Sequence, residues 1–191
     1  MAYKIATAPT SEPFTTAQAK TWLKIPSAVT AEDAVVDAII AAARTWAEQF
    51  TGRALMTQTI EEYFDCWPDC GVFNLSVAPV QSITSVSYQS GGSYTTWSSA
   101  NYYTDLVTEP CRIVAKAGVT APSYDLDAPN VFKVVYVAGY SSAANIPANI
   151  LHGMRQKMAF MYENREDIPL GAGGTERQRS ATALLQSKRM L

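Results

Sequence analysis

The residues able to do chemistry are few and scattered. The chain of 191 residues holds one histidine, His152. It falls in the first turns of a helix that Pro147 is well placed to open. A Ser–His–Asp relay would need it beside a nucleophile, and no nucleophile-elbow sequence is present. There are three cysteines, Cys66, Cys70 and Cys111. Cys66 and Cys70 flank Trp67-Pro68-Asp69, but no second pair follows, and a structural zinc site wants four ligands. An odd count also argues against a disulfide framework, so three reduced, partly buried thiols are expected. Asp125 and Asp127 could face a cation, yet they lack the further acids and turn glycine of a calcium loop. Adjacent Glu61 and Glu62 would point to opposite faces of a strand, which is wrong for a carboxylate pair. The run Gly171-Ala172-Gly173-Gly174 has no Lys-Ser/Thr after it and no strand before it, so it is no phosphate cradle. No catalytic residue, metal or cofactor is expected.

The aromatics are more suggestive. Tyr88, Tyr94, Trp97, Tyr102 and Tyr103 gather around one hairpin. Stacking on single-stranded nucleic acid needs basic neighbours, and from Val72 to Pro110 there is no Lys or Arg. A protein contact or plain sheet packing fits better. A ligand- or glycan-binding module using the hairpin Tyr88–Tyr103 stands as the alternative function.

Composition narrows the class. Apolar residues make up 48% and the net charge is −2, which leaves no global electrostatic footprint for nucleic acid. No apolar run reaches the ~18 residues of a membrane span, and the first residues lack the apolar core of a secretory signal. A cytoplasmic protein is expected. At this length folding buries roughly 70% of the unfolded surface, so neither disulfide nor metal is needed for stability.

The elements that position these residues follow from periodicity. Residues 1–13 read as a flexible extended arm. Thr15 and Gln18 fit a capping box for a short helix, Thr16 to Lys24, ended by Pro26. The cleanest amphipathic pattern runs from Thr30 to Leu55. Val36, Ile39, Ile40, Ala43, Ala47 and Phe50 form its stripe. Thr30 and Asp33 could cap its start, and Gly52 its end. Asp37, Arg44 and Glu48 mark its polar side.

From Met56 to Tyr140 the chain is rich in Thr, Val, Tyr and Ser, with frequent turn residues, and predicts antiparallel strands. They are placed near 57–65, 72–75, 83–89, 94–97, 102–106, 112–115 and 131–137. Ser90-Gly91-Gly92-Ser93 marks a hairpin, and a bulge near Ser85 reconciles an imperfect alternation. Helix returns from Pro147 to about Asn164, with a stripe of Ile150, Leu151, Met154, Met158, Met161 and Tyr162. A glycine-rich break at 169–174 precedes a basic tail. The tail carries Arg177, Arg179, Lys188 and Arg189, with a narrow apolar edge that includes Leu184 and Leu185. It is marginal as an isolated helix; a docking segment and a frayed terminus are both open readings. The fold class is α+β. A helical bundle (long central helix, return helix, C-terminal helix) holds an inserted antiparallel β-sheet region. The division is arm 1–13, helical body 14–55 and 140–168, β-rich insertion 56–139, and hinge with tail 169–191.

The order of landmarks carries a resemblance. AKTWLKI is followed by AIIAAARTWAEQFTGRAL, QTIEEYFD, and LSVAPVQSITSVSYQSGGSY. Then come NYYTDL, RIV, VFKVVYVAGY, NIPANILHGMRQKMAFMYENRE and a terminal ALLQSKR. From about Phe14 to Leu191 this series resembles the head–tail connector (adaptor, head-completion) proteins of long-tailed bacteriophages and prophages. The first thirteen residues, the Cys66–Cys70 pair and the glycine-rich hinge have no counterpart in the resemblance. The resemblance implies a structural virion protein at the head–tail interface, made in the bacterial host cytoplasm. It implies self-association into a ring, typically dodecameric, beneath the portal, extending the DNA channel without sequence-specific binding. A tail-side stopper or tail-completion protein would be the further partner, and no membrane is involved. Carried onto this chain, Arg177, Arg179, Leu184, Leu185, Lys188 and Arg189 would dock on the portal. Asp37, Arg44 and Glu48 are the candidates for a ring interface or channel face.

Overall fold

The computed structural model describes residues 2–164 and 174–190, the side chains of residues 69 and 174–178 excepted. Among the described residues it is α+β, with four α-helices and two antiparallel sheets. The chain divides into two compact units. A β unit comprises Met1–Thr10 and Thr57–Tyr140, and a helical unit comprises Ser11–Met56 and Ser141–Leu191.

The β unit contains β1 (Ala2–Thr7), β2 (Gln58–Phe64), β3 (Val72–Asn74), β4 (Val80–Ser90), β5 (Ser93–Trp97), β6 (Tyr102–Asp105), β7 (Arg112–Ala115) and β8 (Phe132–Ala138). One sheet has the order β1-β2-β8-β4-β5 and the other β3-β7-β6. β2 and β8 alternate strictly between buried and half-buried residues, the period-2 signature of a sheet with one packed face. The packed face is aromatic. Phe73 of the small sheet lies 5.1 Å from Phe64 and 5.5 Å from Phe132, ring centre to ring centre. Trp67 meets Phe73, Trp97 and Phe132 edge-on. The register of β4 against β8 shifts between Ile83 and Ser85, where the alternation asked for a bulge.

The hairpin β4–β5 turns through Gly91 and Gly92, at φ 60° and 78°, a region that a residue with a Cβ enters at a penalty. The Asp125 carboxylate accepts from both turn amides, at 3.0 Å each. This acid staples the turn, which is why it stands in that loop.

Residues 1–13, expected as a flexible arm, include a strand. β1 is extended and pairs antiparallel with β2 of its own chain. All six of its residues are exposed, so burial gives it no hydrophobic pattern for a sequence to display.

The helical unit contains α1 (Thr16–Leu23), α2 (Asp33–Thr51), α3 (Ala148–Glu163) and α4 (Gly174–Gln186). α1 opens with the expected Thr15–Gln18 capping box. α2 ends on Gly52 at φ 70°, the left-handed cap that glycine supplies. Its start differs from expectation: no side chain caps it. The Asp33 carboxylate instead takes Lys20 Nζ at 2.8 Å. Lys20 is buried and also donates to the carbonyls of Ser27 and Val29. One ammonium with three acceptors therefore fixes the α1–α2 connection, since a buried cation is tolerated only when its donors are met.

The tail is also different. α4 packs on α3 and α2. Leu185 is 0% exposed and Ala181 2%. The two helices approach closely at Gly153, where an added Cβ would fall 2.3 Å from Leu185 Cδ1 and 3.2 Å from the Ala181 carbonyl. Asn149 Nδ2 donates to the Leu184 carbonyl, Arg53 Nε to the Lys188 carbonyl, and Met190 N to the Thr51 carbonyl. Tertiary packing supplies the stability that the isolated helix lacks. The expected hinge at 169–174 lies outside the described residues but for Gly174.

Candidate functional site

His152 is exposed, with its ring edge-on to Trp22 at 5.9 Å and Gln156 beside it at 3.4 Å. Cys66 and Cys70 are exposed free thiols and Cys111 is a buried one. Among the described residues no three His, Cys, Asp or Glu side chains come close enough to share a metal ion.

Glu61 and Glu62 do face opposite ways. Glu61 pairs with Lys4 at 3.0 Å on the outer face and accepts from the Tyr63 hydroxyl. Glu62 is 0% exposed. It accepts from the Ser76 amide, the Ser76 hydroxyl and the Tyr136 hydroxyl. Burial, with the Glu62 carboxylate next to it, pushes the Tyr136 hydroxyl far up and keeps it protonated as a donor. Buried polar groups must be satisfied, and this network ties β2 to β8 and to the segment after β3.

The aromatic hairpin divides between the two sheets. Trp97 is buried and stacks on Tyr102 at 5.3 Å, inside the β unit. Tyr94 lies on β5, where Lys133 Nζ covers its ring at 4.5 Å and its hydroxyl donates to the Asn130 carbonyl. Tyr103, on β6, carries Lys116 Nζ at 4.9 Å. These rings hold the fold or meet a cation of the same chain, and they form no common stacking platform.

The charged side of α2 is committed internally. Arg44 donates from Nε and Nη2 to the Glu12 carboxylate and from Nη1 to Glu48, at 2.8, 3.2 and 2.8 Å. Glu48 also accepts from the Leu55 amide at 2.9 Å. The side chains of Arg44 and Glu48 are only 13% and 12% exposed. Burial pushes the Glu48 carboxyl up, against the pull of the Leu55 amide and Arg44. Asp37 is exposed and accepts from the Thr16 hydroxyl. On the tail Arg179, Lys188 and Arg189 are exposed, Leu184 is half-buried and Leu185 is buried. The Arg177 side chain lies outside the described residues.

Three structural residues escaped the sequence reading. Glu12 sits in what reads as an arm. Lys20 sits in a helix too short to show its polarity. Gly153 left a usable signal, because a glycine inside a helix is unfavourable by about 1 kcal/mol and so points to a close neighbour. The helical unit also exposes a mixed aromatic–cationic patch. Trp22 is 42% exposed, and its Nε1 donates to the Arg155 carbonyl while the Arg155 guanidinium covers the rings of Trp22 and Phe14.

No family model matches the chain, and no curated protein matches it either. Solved structures do. A chain in the neck of an empty GTA particle, computed with C6 symmetry, superimposes with a TM-score of 0.80 at 21% identity, covering 100% of this chain and 96% of that one. A chain of the virion of a native gene transfer agent (GTA) particle gives 0.80 at 19% identity, with the same coverage. A chain in the neck of a native GTA particle, computed with C12 symmetry, gives 0.74 at 20% identity, again covering 100% and 96%. The likeness extends over the full chain: this chain has the fold of a chain from the neck of gene transfer agent particles.

Proposed function

We propose that the protein is a structural subunit of a ring in the neck of a phage-like particle, an adaptor between the portal of the filled capsid and the tail. The observation that carries this reading is the fold likeness over the full chain to neck structures of C6 and C12 symmetry. Cyclic symmetry needs heterologous contacts that close on themselves, and such contacts need no cofactor. Twelve copies is the expected number. The helical unit would form the ring body and the β unit an insertion facing outward or toward the next tail component. DNA would pass through the ring without being gripped, which suits the slightly acidic chain.

Portal docking is assigned to the basic surface of the tail, Arg179, Lys188 and Arg189, together with Arg177. Leu184 and Leu185 then anchor α4 to its own subunit and hold that surface in place. Asp37 is the one residue of the α2 set that is free to face a neighbour's surface or the channel without breaking the Arg44–Glu48 pair.

Negative-stain imaging of the concentrated protein, alone and mixed with its portal, tests this. Rings, or portal particles gaining a ring, are expected. A protein that stays monomeric and never binds portal under any condition would sink the proposal.

A further inference from the structure

The N-terminal strand is attached to the β unit in an unusual way. Every residue of β1 is exposed, with Tyr3 at 54% and Ile5 at 51%. No side chain of β1 enters a core. It is held by the antiparallel ladder to β2, by the Lys4–Glu61 pair and by Lys4 Nζ over the Tyr63 ring at 5.8 Å, and exposed pairs of this kind add little. The packed face of β2, with Ile60, Glu62 and Phe64, is buried; Tyr136 bonds Glu62 and Phe73 meets Phe64 there, while Tyr3 and Ile5, the register partners of Glu62 and Ile60, stay half exposed at its edge.

The chain is then re-anchored abruptly. Pro13 and Phe14 are buried, and Glu12 receives two donors of Arg44. Between β1 and this anchor lie residues 8–11, of which Ala8, Thr10 and Ser11 are exposed. The division between the two units also falls here, at Thr10 and Ser11. β1 is thus a segment tethered to the helical unit that contributes only a ladder to the β unit. Fully extended, the ten residues 2–11 reach about 33 Å.

These are the properties of an element that exchanges between copies. Exchange keeps every hydrogen bond, because the neighbour's β2 offers the same edge in the same register, and a strand without core contacts is released easily. Resting on the ring reading above, we propose that β1 of each subunit pairs with β2 of the next copy in the assembled ring, so that strand exchange ties neighbours together around the closed circle. The ladder then acts at high effective concentration, set by the short tether, rather than as a weak bimolecular contact.

Disulfide trapping reads this directly. Lys4 and Glu61 are register partners, and facing residues of an antiparallel pair lie at a Cα separation that a disulfide spans. In a Cys66→Ser, Cys70→Ser background, the double variant Lys4→Cys/Glu61→Cys is assembled, checked for rings by imaging, oxidised and run on a non-reducing denaturing gel. A ladder of covalent multimers is expected. Mixed rings of the two single variants should give a disulfide-linked heterodimer. The pair Ala2→Cys/Tyr63→Cys, at the next register position on that face, repeats the test should the first pair disturb folding. Intact rings that yield only monomers with an internal disulfide overturn the exchange and leave the ring reading standing. A chain that forms no rings, with or without the cysteines, overturns the ring reading and the exchange with it.

Discussion

The Gly153–Leu185 contact decides whether α4 is part of the folded body or a loose tail, and it can be probed with two small substitutions. Leu185 is 0% exposed; Leu185→Ala removes three carbons from a packed site and leaves a cavity, so about 2–5 kcal/mol of stability is lost. Gly153→Ala gains about 1 kcal/mol of helix propensity. Its new Cβ, however, meets Leu185 Cδ1 at 2.3 Å and the Ala181 carbonyl at 3.2 Å. The leucine end can turn aside; the backbone carbonyl has to move with its helix. Overpacking of this kind is unfavourable by roughly 1–3 kcal/mol, so the single variant should be destabilised by up to about 2 kcal/mol. In the double variant the added methyl enters the space that Leu185 vacates. Its loss should therefore be smaller than the sum of the singles, with a coupling of about 0.5–3 kcal/mol. The assay is urea denaturation of wild type, both singles and the double, followed by tryptophan fluorescence and by far-UV circular dichroism, with thermal melts in parallel. For a chain of this size 1 kcal/mol moves Tm by about 2–4 °C. Two results refute the reasoning. Strict additivity would mean that the side chains do not touch. A Leu185→Ala variant as stable as wild type would mean that α4 is not packed in solution.

Four further outcomes are expected. Arg44→Ala removes the cation shared by Glu48 and Glu12 in a partly buried site and should lower stability by about 3 kcal/mol in equilibrium unfolding, whereas exposed Asp37→Ala should change it by less than about 0.5 kcal/mol. Burial raises the Glu48 carboxyl, so the folded chain holds that proton more tightly than the unfolded chain. The resulting stabilisation is present below the unfolded value and is lost as pH rises through the folded one; Glu48→Gln should therefore flatten stability against pH just above the ordinary carboxylate range, and an unchanged slope would contradict the assignment. Tyr136→Phe withdraws one donor from the buried Glu62 and should lower stability by about 1–3 kcal/mol, with amide exchange across β2 and β8 speeding up. His152→Ala should leave assembly intact and shift Tm by no more than a few degrees, because the imidazole is exposed, edge-on to Trp22 and beside Gln156; loss of function with the fold intact would argue for a catalytic site.

What the sequence determined by itself was the local structure, wherever a local force decides it. Strict alternation placed β2 and β8, because a sheet packed on one face imposes period 2. The Thr15–Gln18 box, Gly52 and Gly91-Gly92 fixed ends and turns through backbone conformation alone. Tertiary structure decided everything that depends on a partner distant in the chain. Arg44 and Glu48 look like a free polar face until Glu12, which precedes α1, is seen to take Arg44 and the Leu55 amide to donate to Glu48. Asp33 looks like a helix cap until Lys20 takes it, and nothing local shows that Asp125 holds the hairpin amides. β1 has no hydrophobic period because its ladder is backbone to backbone, and backbone hydrogen bonds carry no side-chain code. The tail reads as marginal because its stability resides in α3, at a glycine whose absent side chain makes room for Leu185. Periodicity records which face of an element is buried; only the folded chain shows what lies against it.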